Sequence, residues 1–251
     1  MLRIAVQSKG RLFEDTMALL AEAGIKVSSS KRTLLVQSSN FPIEVLYLRD
    51  DDIPQSVASG VADLGIVGLN EFEEKAEDVE IVRSLGFSKC RLSLAVPKGC
   101  GYYGLKWFEG KKIATSYPAI LRRFMQENHI AADIHVITGS VEISPGIGFH
   151  AEVHVITGSV EIAPGIGLAD AIFDIVSSGS TLVSNNLVEV EVVMQSEAVL
   201  VANKSLDDEQ RKVLDELLFR IEAVKSAEDK KYVLMNVPTD RVKDVVAVFG
   251  I

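Results

Sequence analysis

Ala169-Asp170-Ala171-Ile172-Phe173-Asp174-Ile175-Val176-Ser177-Ser178-Gly179-Ser180-Thr181 is the stretch from which the rest of the chain is read. Its apolar run, Ala171 to Val176, is preceded by Asp170 and interrupted by Asp174. As a strand, the run puts Asp170 and Asp174 on one face. It then breaks into Ser177-Ser178-Gly179-Ser180-Thr181, where small hydroxyl residues surround a glycine. Ahead of a helical turn, such a loop aims several backbone N–H groups and hydroxyls at one phosphate. An acid pair followed by a phosphate cup suits a phosphorylated sugar, with hydroxyl acceptors on one side and an anion nest on the other. The same pattern also describes a buried strand followed by a serine-rich turn.

At 251 residues and 47% apolar composition, the chain can bury one large core or two smaller ones. No apolar run approaches a membrane span, and Met1 to Gln7 reads as a strand rather than a signal peptide. Cys90 and Cys100 are too few for a disulfide scaffold and lack metal-ligand spacing. A soluble cytoplasmic protein is expected. The formal charge of −9, with no basic tail or stripe, argues against nucleic acid as a partner. It also means that a polyphosphate ligand needs local convergence of cations and a screening metal ion.

In chain order, a strand over residues 2–7 leads into the cationic loop Gln7-Ser8-Lys9-Gly10-Arg11, and Leu12 to Ala23 carries a helical pattern ended by Gly24. A loop of that kind suits phosphate binding at a sheet's carboxyl end, although plain exposure explains Lys9 and Arg11 equally well. Strands are expected over Thr33 to Gln37 and Ile43 to Arg49. Of the run Asp50-Asp51-Asp52, Asp52 reads as the cap of a helix from Ile53 with Pro54 in its first turn, in preference to a metal site. The strand Ala62 to Val67 ends in Gly68, which suits either close ligand approach or a simple turn. Leu92 to Val96 and Lys111 to Ala114 read as strands, and Ala119 to Asn128 as a helix whose Arg122 and Arg123 face solvent. Val188 to Met194 and Ala198 to Ala202 read as strands, Asp207 to Val224 as a helix capped by Ser205 or Asp207, and Tyr232 to Val237 and Thr239 to Phe249 as a strand and a helix.

Residues 132–148 and 151–167 are near-copies, differing only at Asp133/Glu152, Ile134/Val153 and Ser144/Ala163. A diverged structural repeat does not keep its loops this well, and solenoids need at least three copies. The pattern is that of a 19-residue tandem duplication of one strand–turn–short-helix unit. A spare apolar strand is also an exchange and aggregation hazard. His135 and His154 alternate with apolar residues and read as solvent-side strand positions rather than metal ligands.

Asp170 to Leu182 resembles the phosphoribosyl-diphosphate loop of the ATP phosphoribosyltransferases, which open histidine biosynthesis. Ser8 to Leu12, Arg49 with Asp52-Ile53-Pro54, Ala62 to Gly68, Cys90-Arg91-Leu92, Ala114 to Pro118 and Gly-Ser-Val-Glu match further segments, in the family's order. The resemblance implies an α/β, two-lobed fold of the type II periplasmic-binding-protein kind with the site in the cleft. Lobe I would comprise residues 1–89 and 185–228, and lobe II residues 90–184, with 229–251 a βα remnant of a histidine-binding regulatory domain.

The implied reaction joins phosphoribosyl diphosphate to N1 of ATP and releases pyrophosphate, with no residue assigned as acid or base. By the same resemblance Glu161, Asp170, Asp174, Ser177, Ser178, Gly179, Ser180 and Thr181 would bind phosphoribosyl diphosphate, with Glu142 the displaced twin of Glu161. Lys9, Gly10, Arg11, Arg49, Gly68 and Arg91 would face ATP or pyrophosphate. Mg²⁺ would come in on the substrate phosphates, with Asp170 and Asp174 as candidate ligands. A homodimer or larger homo-oligomer is implied as the assembly. Two alternatives stand beside this reading: a two-lobed phosphate- or nucleotide-binding protein without chemistry, and an impaired relative whose duplication distorts the cleft.

Overall fold

A computed structural model describes residues 1–28, 33–136, 160–228, 230 and 234–249. They form two sheets flanked by helices. The first has the order β2-β3-β1-β4-β11-β5, from β1 (Leu2–Gln7), β2 (Leu35–Gln37), β3 (Ile43–Leu48), β4 (Leu64–Gly68), β5 (Val79–Ser84) and β11 (Ala198–Asn203). The second has the order β10-β6-β9-β7-β8, from β6 (Cys90–Pro97), β7 (Lys112–Thr115), β8 (Asp133–Val136), β9 (Ala171–Val176) and β10 (Leu187–Ser196). The helices are α1 (Arg11–Glu22), α2 (Ile53–Ala58), α3 (Leu69–Lys75), α4 (Pro118–Glu127), α5 (Ser180–Ser184), α6 (Asp208–Glu228) and α7 (Val242–Phe249).

The central strands are apolar on both faces because both faces are covered. On one side of the first sheet, α1 presents Leu12, Leu19 and Leu20, and α6 presents Leu214, Leu217 and Ile221, to Leu2, Ile4 and Ile66. The start of α6 is a reciprocal cap: Asp207 Oδ1 accepts from Gln210 N–H at 2.8 Å, and Gln210 Oε1 accepts from Asp207 N–H at 2.9 Å. The choice between Ser205 and Asp207 is thereby decided. On the other side, Ile53 and Val57 of α2 pack against Ala5, Val67, Val199 and Val201. Gly65 of β4 makes that close approach feasible, since a Cβ there would lie 2.7 Å from Ile53 Cγ2 and 2.9 Å from Val57 Cγ2.

Three expectations need correction. Asp52 does not cap α2 with its side chain; Asp50–Asp52 form a 3-10 turn that continues into the helix, so Asp52 already has helical backbone (φ −88°, ψ −16°). Val188 to Met194 does not return to the first lobe. β10 pairs antiparallel with β6 from Leu187↔Pro97 to Ser196↔Cys90, and the chain crosses back only at Glu197. Its alternation, Val188-Glu189-Val190-Glu191, is that of an edge strand with one wet face, whereas Ala198 to Ala202 is buried throughout. Finally, residues 234–238 belong to no strand. A strand forms only against a partner, and among the described residues none pairs there. The helix expected over Thr239 to Phe249 is present as a 3-10 turn, Thr239–Arg241, followed by α7.

Among the described residues, each copy of the duplicated unit contributes one part. The first copy supplies β8, which lies parallel to β7 with Ile113↔Ile134 and Thr115↔Val136. The second supplies a 3-10 turn, Val160–Ile162, with Val160 and Ala163 buried against Ala114, Ile172 and Leu182. Glu142 and His154 lie outside the described residues. His135 Nε2 is 3.0 Å from Asp133 Oδ2 at the surface.

Two tests follow from the packing. Gly65→Ala should cost about 1–3 kcal/mol through overpacking, read as a lowered midpoint in urea. An unchanged midpoint would mean that α2 does not press on β4. Deleting residues 137–155, which joins Val136 to Ile156, keeps both halves of the composite unit and should leave a folded chain with an equal or higher Tm, since a shorter connection costs less closure entropy. Loss of the fold would show that the slot needs residues from within the deleted stretch.

Candidate functional site

Parallel pairing brings the loops together. β1 runs parallel to β3 and β4, so Ser8 to Arg11, Arg49 to Asp52 and Gly68 to Glu71 leave the first sheet at one carboxyl edge. Ser8 N–H donates to Leu48 O at 2.8 Å, which ties the first two loops side by side. In the second sheet β7 and β9 are parallel, and their carboxyl ends carry Ser116-Tyr117-Pro118 and Ser177 to Thr181. The two edges meet through α3 and α4. Asn70 Nδ2 donates to the Tyr117 hydroxyl at 3.3 Å, and the Glu74 carboxylate accepts from Ala119 N–H at 2.8 Å and Ile120 N–H at 3.0 Å. Arg123 is exposed, as expected, and its guanidinium pairs with Glu73 at 2.9 Å.

The quoted loop forms a cup. A cavity of about 300 Å³ is lined by Glu161, Asp174, Ser177, Ser178, Gly179 and Thr181, with apolar residues of β9 behind them. Gly179 sits at φ +80°, a left-handed conformation that turns the chain sharply from β9 into α5. The hydroxyls of Ser178 and Ser180 are 2.9 Å apart. Asp174 Oδ1 accepts from Ile175 N–H at 2.8 Å. Burial, with a smaller contribution from Glu161, raises the Asp174 carboxyl from 3.8 to about 6.

Asp170 is not part of this cup. It precedes β9 at the opposite end, about 13 Å away along a strand that rises about 3.3 Å per residue. Its carboxylate accepts from Lys112 N–H at 2.9 Å and lies 3.9 Å from Lys111 Nζ. Of the two carboxylates expected on one strand face, only Asp174 lines the cavity.

The cations divide. Lys9, Arg11 and Arg49 are exposed on the first edge, Arg11 Nε lying 3.7 Å from Asp15. Arg91 is already engaged: its Nε and Nη2 donate to Glu189 at 2.5 and 2.6 Å, and its Nη1 donates to Ser177 O at 3.1 Å. At Gly68 the space a Cβ would need is filled by the Asn70 amide, so its missing side chain serves packing within the site.

Sequence reading missed a buried acidic group between the edges. Asp50 is the inward-facing member of its triplet: burial, then Glu71, then Asp51 raise its carboxyl to about 7. Its Oδ1 is buried without a hydrogen-bond partner among the described residues. Glu71 is raised by burial against a hydrogen bond from Tyr117 that lowers it, and the Tyr117 phenol is raised by burial and by Glu71. The triplet was visible in the sequence; which of its members turns inward was not. Among the described residues, no group of three or more His, Cys, Asp or Glu side chains is arranged to hold a metal ion by itself.

A model of the ATP phosphoribosyltransferase family matches residues 49–150 and 146–223, the two matches overlapping inside the repeat. The ATP phosphoribosyltransferase of Phocaeicola vulgatus is 69% identical over 248 residues, covering 99% of this chain and 81% of that protein. The ATP phosphoribosyl transferase (HisG:HisZ) complex from Thermotoga maritima superposes with a TM-score of 0.72 at 26% identity, over 92% of this chain and 100% of that one. The substrate binding protein of an amino acid ABC transporter shares the fold at a TM-score of 0.54 and 11% identity, over 90% of this chain and 93% of the other. The two-lobed α/β architecture is thus that of the type II periplasmic-binding-protein fold.

The raised Asp174 carboxyl sets a sign for stability. The folded chain holds the extra proton between about pH 4 and 6, so this group favours folding most below that window and progressively less as pH rises through it. Asp174→Asn should therefore be more stable than the parent at pH 7.5, by about 1–3 kcal/mol, with the gap closing toward pH 4. Thermal melts across pH check this; a less stable variant at pH 7.5 would make the carboxylate a structural element.

Proposed function

We propose a division of labour for a chain that belongs to the ATP phosphoribosyltransferase family and whose reaction joins the 5-phosphoribosyl group of phosphoribosyl diphosphate to N1 of ATP, releasing pyrophosphate. Ser177, Ser178, Gly179, Ser180 and Thr181 cradle the 5′-phosphate with backbone N–H groups and hydroxyls. Asp174 and Glu161, on the wall of the same cavity, accept from ribose hydroxyls. The observation that carries this reading is the convergence of two carboxylates and the hydroxyl loop on one cavity of about 300 Å³. Asp170 has no part in it, being turned toward Lys111 and Lys112 at the far end of β9.

Lys9, Gly10, Arg11, Arg49 and the turn at Gly68 receive the triphosphate and the departing pyrophosphate from the opposite edge. Displacement at the anomeric carbon has oxocarbenium character, so its demands are alignment, neutralisation of the leaving group and exclusion of water. Two lobes meeting at facing strand ends meet those demands without a dedicated acid or base. Mg²⁺ fits the residues present: it binds through substrate phosphates with one or two carboxylates rather than in an all-protein cage, and Asp174 and Glu161 are such a pair. Bound there, it would supply charge screening for the pyrophosphate. No helix among the described residues is long and apolar enough to cross a membrane, in keeping with a cytoplasmic enzyme, and we propose a homodimer or larger homo-oligomer as its assembly.

One observation favours a second reading: the composite use of the repeat directly beside Glu161 could leave an impaired relative that binds without turnover. The deciding assay is formation of the phosphoribosyl-ATP adduct from ATP and phosphoribosyl diphosphate with Mg²⁺, pulled forward by a pyrophosphatase. Turnover is expected, and Asp174→Asn should lower it about 10²-fold while the variant stays folded. Binding of phosphoribosyl diphosphate without adduct would establish the impaired relative.

A further inference from the structure

We infer that Glu189 is a positioning residue for phosphoribosyl transfer, acting through Arg91 on the first peptide of the phosphate cup; this rests on the reading that the cup holds the 5′-phosphate. Glu189 lies on β10 and Arg91 on β6, and Ser177 follows β9, so three neighbouring strands meet at this point. The pair is bidentate, with Arg91 Nε to Glu189 Oε1 at 2.5 Å and Nη2 to Oε2 at 2.6 Å. Ser93 Oγ donates to the same Oε1 at 2.6 Å, which fixes the carboxylate in turn. The remaining arm of the guanidinium, Nη1, donates to Ser177 O at 3.1 Å.

That last bond has a directional consequence. In a planar trans peptide the carbonyl and the following N–H point opposite ways. Holding Ser177 O on Arg91 therefore aims Ser178 N–H away from Arg91. The cavity is lined by Ser177 and Ser178 and not by Arg91. Glu189 also neutralises the guanidinium, so Arg91 braces the loop instead of acting as a free cation for pyrophosphate. The pairing is more than a surface ion pair: both side chains are largely covered, 30% and 24% exposed, and the fork geometry admits one orientation. The Glu189 carboxyl is held below its ordinary range, first by the hydrogen bonds from Arg91.

The test is a split of Michaelis constants in the full chain. Glu189→Gln keeps size and packing but loosens the fork. It should raise KM for phosphoribosyl diphosphate about tenfold while KM for ATP stays within about twofold and Tm within about 3 °C. Unchanged constants would reduce the pair to a structural contact, and an equal rise for both substrates would place Arg91 on the nucleotide or the pyrophosphate. A fall in KM for phosphoribosyl diphosphate would mean that Glu189 restrains a phosphate-seeking cation; each of these outcomes overturns the inference. If Glu189→Gln does not fold, Ser93→Ala removes one bond to the same carboxylate and should shift the same constant in the same direction, by less. Ser178→Ala and Thr181→Ala separate the two levels. If they leave KM for phosphoribosyl diphosphate unchanged, the cup itself is misassigned; if they raise it and Glu189→Gln does not, only the positioning role falls.

Discussion

The parallel pairing of β1 with β3 and β4, and of β9 with β7, sends five strands toward two facing carboxyl edges, and everything at the site hangs on that arrangement. A parallel strand delivers its connecting loop at the same end as its neighbour, which antiparallel strands do not. The cationic loop after β1, the acidic turn after β3, the α3 start after β4 and the hydroxyl loop after β9 therefore meet in space although they are spread over residues 8–181. The antiparallel strands β6 and β10 have another task. β6 lies beside β9 with β10 outside it at the sheet edge, and together they carry the Arg91–Glu189 pair that reaches the Ser177 carbonyl.

Charge is the second constraint. A chain with a net charge of −9 belongs to a family that handles two polyanionic substrates, and it nevertheless buries carboxylates at the strand edges of both sheets. Desolvation of Asp174 and Asp50 disfavours their ionised forms and works against stability near neutral pH. A ribose hydroxyl or a metal-screened phosphate brings the donors or positive charge that such groups lack. Among the described residues, the buried Oδ1 of Asp50 has no hydrogen-bond partner, which adds to the desolvation cost. The exposed cations of the first edge, Lys9, Arg11 and Arg49, offset that acidity locally.

The duplication shows how a fold absorbs redundancy. β8 needs only a short apolar strand to pair with β7, and either copy offers one. The 3-10 turn needs Val160 and Ala163 seated against β9 and α5, and the second copy lies at the right chain distance from Asp170 to provide them. Taking the strand from one copy and the turn from the other satisfies both demands. Glu161 consequently lines the cavity beside the Ser177 to Thr181 loop.

Much of this was legible in the residues. Continuous apolar runs such as Leu64 to Val67 and Ala198 to Ala202 announced buried central strands, and the Ser177 to Thr181 loop announced its cup, because local chemistry alone sets strand type and turn type. Where the sequence pattern was two-edged, as in Val188-Glu189-Val190-Glu191, the alternation indicated an edge strand but not which sheet owned it. Asp170 and Asp174 share a strand face by periodicity, yet only the position of the cavity at one end of β9 separates their fates. Nothing near Arg91 in the sequence points to its partner Glu189, which lies 98 positions away. Side-chain period reports which face a residue takes; which groups meet across that face depends on register and on the packing of one lobe against the other. Those long-range pairings, Arg91 with Glu189, Asn70 with Tyr117 and Glu74 with the start of α4, were decided by the tertiary structure, because only folding desolvates the partners and brings them within hydrogen-bond reach.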